Sequence, residues 1–144
     1  MNRGEAEDTL IGLLNDNMPI VPVNSYGVTA GVIPTSRVEY PNAKFRKPNN
    51  EVFLSLSTTF ADGENIEASP TGLIRTDGVF VIVSRVPKNT GRTIANSIAD
   101  QLAILYRQKR FDGMVIESNQ VDTLGGREDW YTKQINVFFY IEEN

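Results

Sequence analysis

No histidine and no cysteine occurs among the 144 residues, and this removes most familiar side-chain chemistry. A Ser-His-Asp or Cys-His nucleophile cannot be assembled within one such chain. Zinc held by Cys or His, haem ligated by His, iron–sulfur clusters and thiol redox work go with it. Carboxylate, lysine and magnesium chemistry remain. The carboxylates offer little convergence: Glu128-Asp129 and Glu142-Glu143 are sequence neighbours, and neighbours on an extended chain point apart. Asp62-Gly63-Glu64 has the start of a calcium loop without its later ligands, and reads as a turn. Asn89-Thr90-Gly91-Arg92-Thr93 lies between an apolar run and a helical pattern, where a helix N-terminus can meet phosphate. No lysine follows the glycine, so the segment is not a P-loop. It is expected to be a strand-to-helix connection with Thr90 as N-cap. No metal and no cofactor is expected.

Charge is patterned in blocks. The net charge is −4. Residues 37–48 carry Arg37, Lys44, Arg46 and Lys47 against Glu39, and residues 85–110 carry Arg85, Lys88, Arg92, Arg107, Lys109 and Arg110 against Asp100. The segments before, between and after these two are acidic. Alternating blocks can supply two complementary patches for head-to-tail self-association, or they can be ordinary solvated surface. In the first basic block Tyr40 and Phe45 are interleaved with the cations, a mixture that suits protein contact, or phosphate contact with base stacking. A sequence pI near 4.8 argues against DNA binding as the main role.

The elements that must position these residues read as α+β. A helix is expected over 5–16, where Leu10, Ile11, Leu13 and Leu14 have helical spacing and Pro19 follows. Residues 20–23 read as a short extended stretch, with Pro22 placing it at an edge. Residues 24–50 hold no sustained period. They form either an extended functional arm or a hairpin pairing 28–33 with 37–40. Residues 51–60 alternate as a half-buried strand, and 66–76 read as a second strand with a bend at Pro70 and Gly72. Thr76-Asp77-Gly78 has the composition of a hairpin turn. Residues 79–86 read as a central strand buried on both faces. A helix follows over 92–108, with Arg107, Lys109 and Arg110 complementing its C-terminal dipole and Asp112-Gly113 ending it. Then come a strand over 114–121, a loop over 122–129 and a final strand over 130–141. One domain over 1–144 is expected, with a mixed, mostly antiparallel sheet and helices packed on one face. The acidic N-terminus does not have the form of a signal peptide and no run is long enough to cross a membrane, so a soluble protein is expected.

The order of features over residues 50–142 resembles the tail terminator proteins of long-tailed, lambda-like bacteriophages. The resemblance rests on Leu73-Ile74-Arg75-Thr76-Asp77-Gly78-Val79-Phe80-Val81-Ile82-Val83, then Pro87 and Thr90-Gly91, then a helix with Ala95, Ile98, Ala99-Asp100 and Leu102. Phe111-Asp112-Gly113, a strand, Trp130-Tyr131 and an apolar strand over 135–140 complete it. It implies a non-enzymatic α+β subunit of a six-membered ring that caps the tail tube and stops its polymerisation. The implied partners are other copies of the chain, the tail tube protein and a head-completion or neck protein, with DNA passing through the lumen unread. The implied place is the neck end of the virion tail, after assembly in the host cytoplasm. On this reading Arg37, Tyr40, Lys44, Phe45, Arg46 and Lys47 are candidate arm contacts. Arg85, Lys88, Arg92, Arg107, Lys109 and Arg110 are candidate inter-subunit charges. Asp122, Glu128 and Asp129 are candidate lumen-facing acids, where like charge would repel DNA. A neck or minor tail protein is an alternative of the same class. A small α+β enzyme or ligand-binding domain is an alternative of another class, and would need convergent acids or lysines in a pocket.

Overall fold

Asn2 starts the first helix: its side chain accepts from the Glu5 N–H at 2.8 Å and donates back to the Glu5 carboxylate at 2.9 Å. This reciprocal cap begins α1 (Arg3–Asp16), two residues before the expected start. The computed structural model describes residues 1–23, 27–61, 64–65, 74–90, 92–127 and 129–143. The strand and bend read over 66–73, the turn residues Asp62 and Gly63, and Gly91 lie outside them.

Among the described residues nine strands and a second α-helix follow. They are β1 (Ile20–Val21), β2 (Gly31–Val32), β3 (Val38–Glu39), β4 (Phe53–Phe60), β5 (Glu64–Asn65), β6 (Ile74–Pro87), α2 (Arg92–Leu105), β7 (Lys109–Phe111), β8 (Met114–Arg127) and β9 (Trp130–Glu143). The main sheet has the order β3-β4-β6-β9-β8-β7, with β5 added to β6, and β1 pairs β2 apart from it. Among the described residues only the β3–β4 pair is parallel. The expected α+β class therefore holds: a mixed, mostly antiparallel sheet with both helices on one face.

That face is sealed by the period of the side chains. Cross-strand partners share a face, so Phe80/Val137 and Ile82/Ile135 stand together, all of them buried. Leu54 and Leu56 join them from β4, and Met114 and Ile116 from β8. Ile94, Ala95, Ile98, Ala99 and Leu102 of α2 cover this surface. Tyr106 fills the end of the layer. Its ring lies 5.7 Å from Phe80, and its hydroxyl donates to the Leu10 carbonyl at 2.7 Å, tying α1 to α2. Burial drives the Tyr106 phenol far above its ordinary pKa.

Several local expectations are overturned. Thr76-Asp77-Gly78 is no turn but the middle of a ladder, with Gly78 paired to Phe60 on one side and Phe139 on the other. The tip of the Phe139 ring sits against Gly78, so that a Cβ there would fall 2.5 Å from its Cζ. The β6 run is not buried on both faces: Phe80, Ile82, Ser84 and Val86 are sealed, while Val79, Val81, Val83 and Arg85 on the other face are half-buried. The helix ends at Leu105 rather than Gln108, and its last turn holds no basic residue. Its terminal carbonyls instead receive Asn119 Nδ2, at 2.9 Å to Ala103 and 3.2 Å to Tyr106. Asp112-Gly113 turns β7 into β8 instead of ending the helix. Thr90 does not show the expected capping geometry: it is buried and donates its hydroxyl to the Pro87 carbonyl at 2.7 Å. Residues 122–127 belong to β8, which continues through Gly125 and Gly126 because β9 pairs with it to the end.

The hairpin considered for 28–33 and 37–40 does not form. Gly31–Val32 pairs with Ile20–Val21, and Val38–Glu39 runs parallel to Leu54 and Ser55. The β1–β2 lobe packs Val21 into the core, and Gln101 of α2 grips its backbone. Gln101 accepts from Ile20 N–H at 2.7 Å and donates to the Ile20 carbonyl at 2.8 Å.

Candidate functional site

On the face of the sheet opposite α2, which carries no helix among the described residues, the partners are Val79/Phe138, Val81/Asn136, Val83/Gln134, Arg85/Thr132 and Pro87/Trp130. A column of half-buried valines thus runs beside a polar column. In that polar column Gln134 donates to Asn136, and Asn136 and Gln120 both donate to Asp122, at 2.8–2.9 Å. At one end Arg75 lies 4.0 Å from the Tyr140 ring centroid and pairs with Asp77 and Glu117. Partial desolvation opposes its charge, but Asp77, Glu117 and Tyr140 together carry its pKa above the usual guanidinium value.

At the other end the arm folds onto the sheet. Phe53 forms the floor, meeting Trp130 edge-to-face at 5.0 Å and Phe45 at 5.6 Å. Arg85 lies 5.4 Å from the Phe53 centroid and donates to Ser55 Oγ at 2.8 Å. The Lys47 ammonium sits 5.1 Å from the Trp130 ring. Such cation–ring contacts are worth about 0.5–1 kcal/mol at exposed sites. Three concavities meet at Lys47: a cleft of about 580 Å3 toward Lys88, Asn89 and Asp129, one of about 470 Å3 over Thr132 and Gln134, and one of about 270 Å3 over Ser55 and Glu39.

The structure brings some of the sequence-derived candidates together and separates others. Lys47 and Phe45 of the first basic block join Arg85 and Lys88 of the second at this corner. Lys44 and Arg46 are exposed beside them in sequence. Arg37 is engaged internally, pairing with Glu51 at 3.1 Å, and Glu51 also accepts from the Thr29 N–H and hydroxyl. Tyr40 donates to Asn15 of α1 at 2.7 Å, and burial raises its phenol pKa although that bond offsets part of the rise. The second basic block is split by α2, whose 14 residues span roughly 21 Å at 1.5 Å each. Arg92 stands exposed at its start. Arg107, Lys109 and Arg110 are exposed beyond its end, the last two beside a groove of about 530 Å3 with Glu117 and Tyr140. Of the acids, Asp122 is bound into the polar column. Asp129 is exposed in the β8–β9 turn, where its carbonyl accepts from Lys88 N–H at 3.0 Å. Glu128 lies outside the described residues.

Trp130 and Phe53 were missed as site residues. Their signal was present: both are large aromatics on the polar phase of otherwise alternating strands. Among the described residues no three acids converge in a cluster suited to a metal ion.

No protein-family model matches the chain, and no curated protein matches it. One solved structure, of a protein carrying only a sequence identifier for a name, superposes with a TM-score of 0.55 at 19% identity, over 75% of this chain and 79% of that one. At that identity the likeness bears on the fold alone.

Proposed function

We propose that the protein is a structural subunit of a phage tail. It forms a ring on the end of the tail tube, stops tube growth and presents a surface for joining to the head. The reading rests on the sequence resemblance over residues 50–142. The observation that carries it furthest is the helix-free face of the sheet, where Val79, Val81, Val83, Phe138 and Tyr140 are half-buried beside hydrogen-bonded polar side chains. Such a surface suits contact with protein. The Lys47–Trp130 corner adds an anchor of the kind that dominates interfaces: aromatic, cationic and concave. In this reading Lys44, Arg46 and Lys47 meet the tube or a neighbouring subunit, and Arg37 shapes the arm from within.

Electron microscopy of particles lacking the protein tests it. Overlong tubes are the expected result. Tails of normal length that fail to join heads would replace the terminator reading with a neck protein, and intact infectious particles would overturn both.

A further inference from the structure

The main sheet has two open edges, and they stand level with one another. On one side β7 pairs only with Met114, Val115 and Ile116, and among the described residues no strand pairs with β8 beyond them. On the other side β3 pairs only with Leu54 and Ser55, and among the described residues no strand lies along the outer edge of β4 from Leu56 to Phe60. The registers place Ser57 in one row with Val81, Asn136 and Gln120, and Thr59 in one row with Val79, Phe138 and Ser118. Residues 56–59 and 118–121 therefore lie at the same height on the sheet, between the rows that β3 and β7 cover.

Their chemistry differs from that of the covered edges. An exposed strand edge invites pairing with another chain, and proteins guard against it with charges, prolines and very short strands. The covered segments have such guards: β7 is three residues long and carries Lys109 and Arg110, and β3 has only two residues. The open segments have none. Residues 56–60 are Leu, Ser, Thr, Thr and Phe, and 118–123 are Ser, Asn, Gln, Val, Asp and Thr. The one charge, Asp122, is already engaged by Gln120 and Asn136. The irregularities of β8 fall at Ile116/Ser118 and Thr123/Gly125, so they bracket this run and leave it regular. Direction fits as well. Three successive antiparallel pairings make β8 run opposite to β4. A second copy rotated about an axis along the strands would therefore set its β4 antiparallel to β8 of the first.

We propose that residues 118–121 of one copy add as a strand to residues 56–59 of the next, so that the sheet continues from subunit to subunit. This is a heterologous contact, in which each subunit uses one edge as donor and the other as acceptor, and its repetition closes a ring or extends a filament. The proposal deepens the self-assembly part of the reading above and rests on it.

The absence of cysteine gives a clean test. In one chain β4 and β8 are three strand spacings apart, roughly 14 Å, which exceeds disulfide reach. Full-length S57C and Q120C chains, each exposed at the new thiol, are mixed at millimolar concentration under mild oxidation. The expected product is a disulfide-linked S57C–Q120C pair at twice the monomer mass, and a ladder of higher species from the double variant. S57C mixed with K109C, on the guarded edge, should give at least tenfold less. Equal yield with K109C, or only S57C–S57C and Q120C–Q120C links, overturns the pairing. Sedimentation of the unmodified chain separates the two ideas. Oligomers without the S57C–Q120C link refute this edge contact and leave self-assembly standing. A strict monomer without the link also refutes it, while the tube-capping reading is still decided by tail length in particles.

Discussion

The helix-covered face of the sheet and its open face are made by the same strands, residue by alternate residue. On the covered face Phe80, Ile82, Ile135 and Val137 are fully enclosed, and Tyr106 locks α1 and α2 over them. On the open face valines stand half-exposed, polar side chains bond to one another, and Phe45, Phe53 and Trp130 collect at one corner with Lys47 and Arg85. A sheet that had only to fold could carry short polar residues there. The difference teaches that stability and contact are separated by strand phase, so substitutions can address one without the other.

The strongest way to break that separation is Phe80→Ala on the covered face. It is expected to cost about 3–5 kcal/mol, read as a lowered urea midpoint. Gly78→Ala should follow at about 1–3 kcal/mol, because the new Cβ would strike the Phe139 ring, which is buried and packed edge-to-face against Phe60. Tyr106→Phe should cost about 0.5–1.5 kcal/mol by removing the buried hydroxyl's bond to the Leu10 carbonyl, which keeps its helical bond within α1. The same residue sets a pH dependence. Its folded pKa is raised above the unfolded value near 10. Its contribution is therefore complete below about pH 10 and is lost as pH rises further, because the unfolded chain releases the proton more easily. Urea midpoints at pH 8 and pH 11 should diverge less in Tyr106→Phe than in the parent. The smallest effect on folding belongs to Lys47→Glu on the open face, within about 1 kcal/mol. That variant should nevertheless fail to complement in tail assembly, and normal tails from it would remove the corner from the contact surface.

The sequence revealed the elements whose side chains repeat with a regular period. The alternation of 130–141 and of 51–60, and the helical stripes of α1 and α2, arise from local geometry and are visible in one dimension. Asp77-Gly78 misled because its turn preference is local, whereas the ring of Phe139, 61 positions away, decides its place. Gly125-Gly126 misled for the same reason: the pairing with β9 outweighs the glycine signal. The arm had no period to read. Its course depends on Glu51 gathering Thr29 and Arg37, and on Phe45 reaching Phe53, and such contacts are written only in three dimensions. The corner site was half legible: its cations were singled out, and its aromatic floor was not.

The grip of Gln101 on Ile20 has a consequence for how the chain can age and vary. A carboxamide sets an N–H donor beside a carbonyl acceptor, as a peptide backbone does, so this side chain stands in for a neighbouring strand while its second N–H donates to Ser97 Oγ. Exchange of its nitrogen for oxygen, by Gln101→Glu or by slow hydrolysis, replaces a donor to the Ile20 carbonyl with a second acceptor facing it. The attachment of the β1–β2 lobe to α2 is thus sensitive to the identity of one atom.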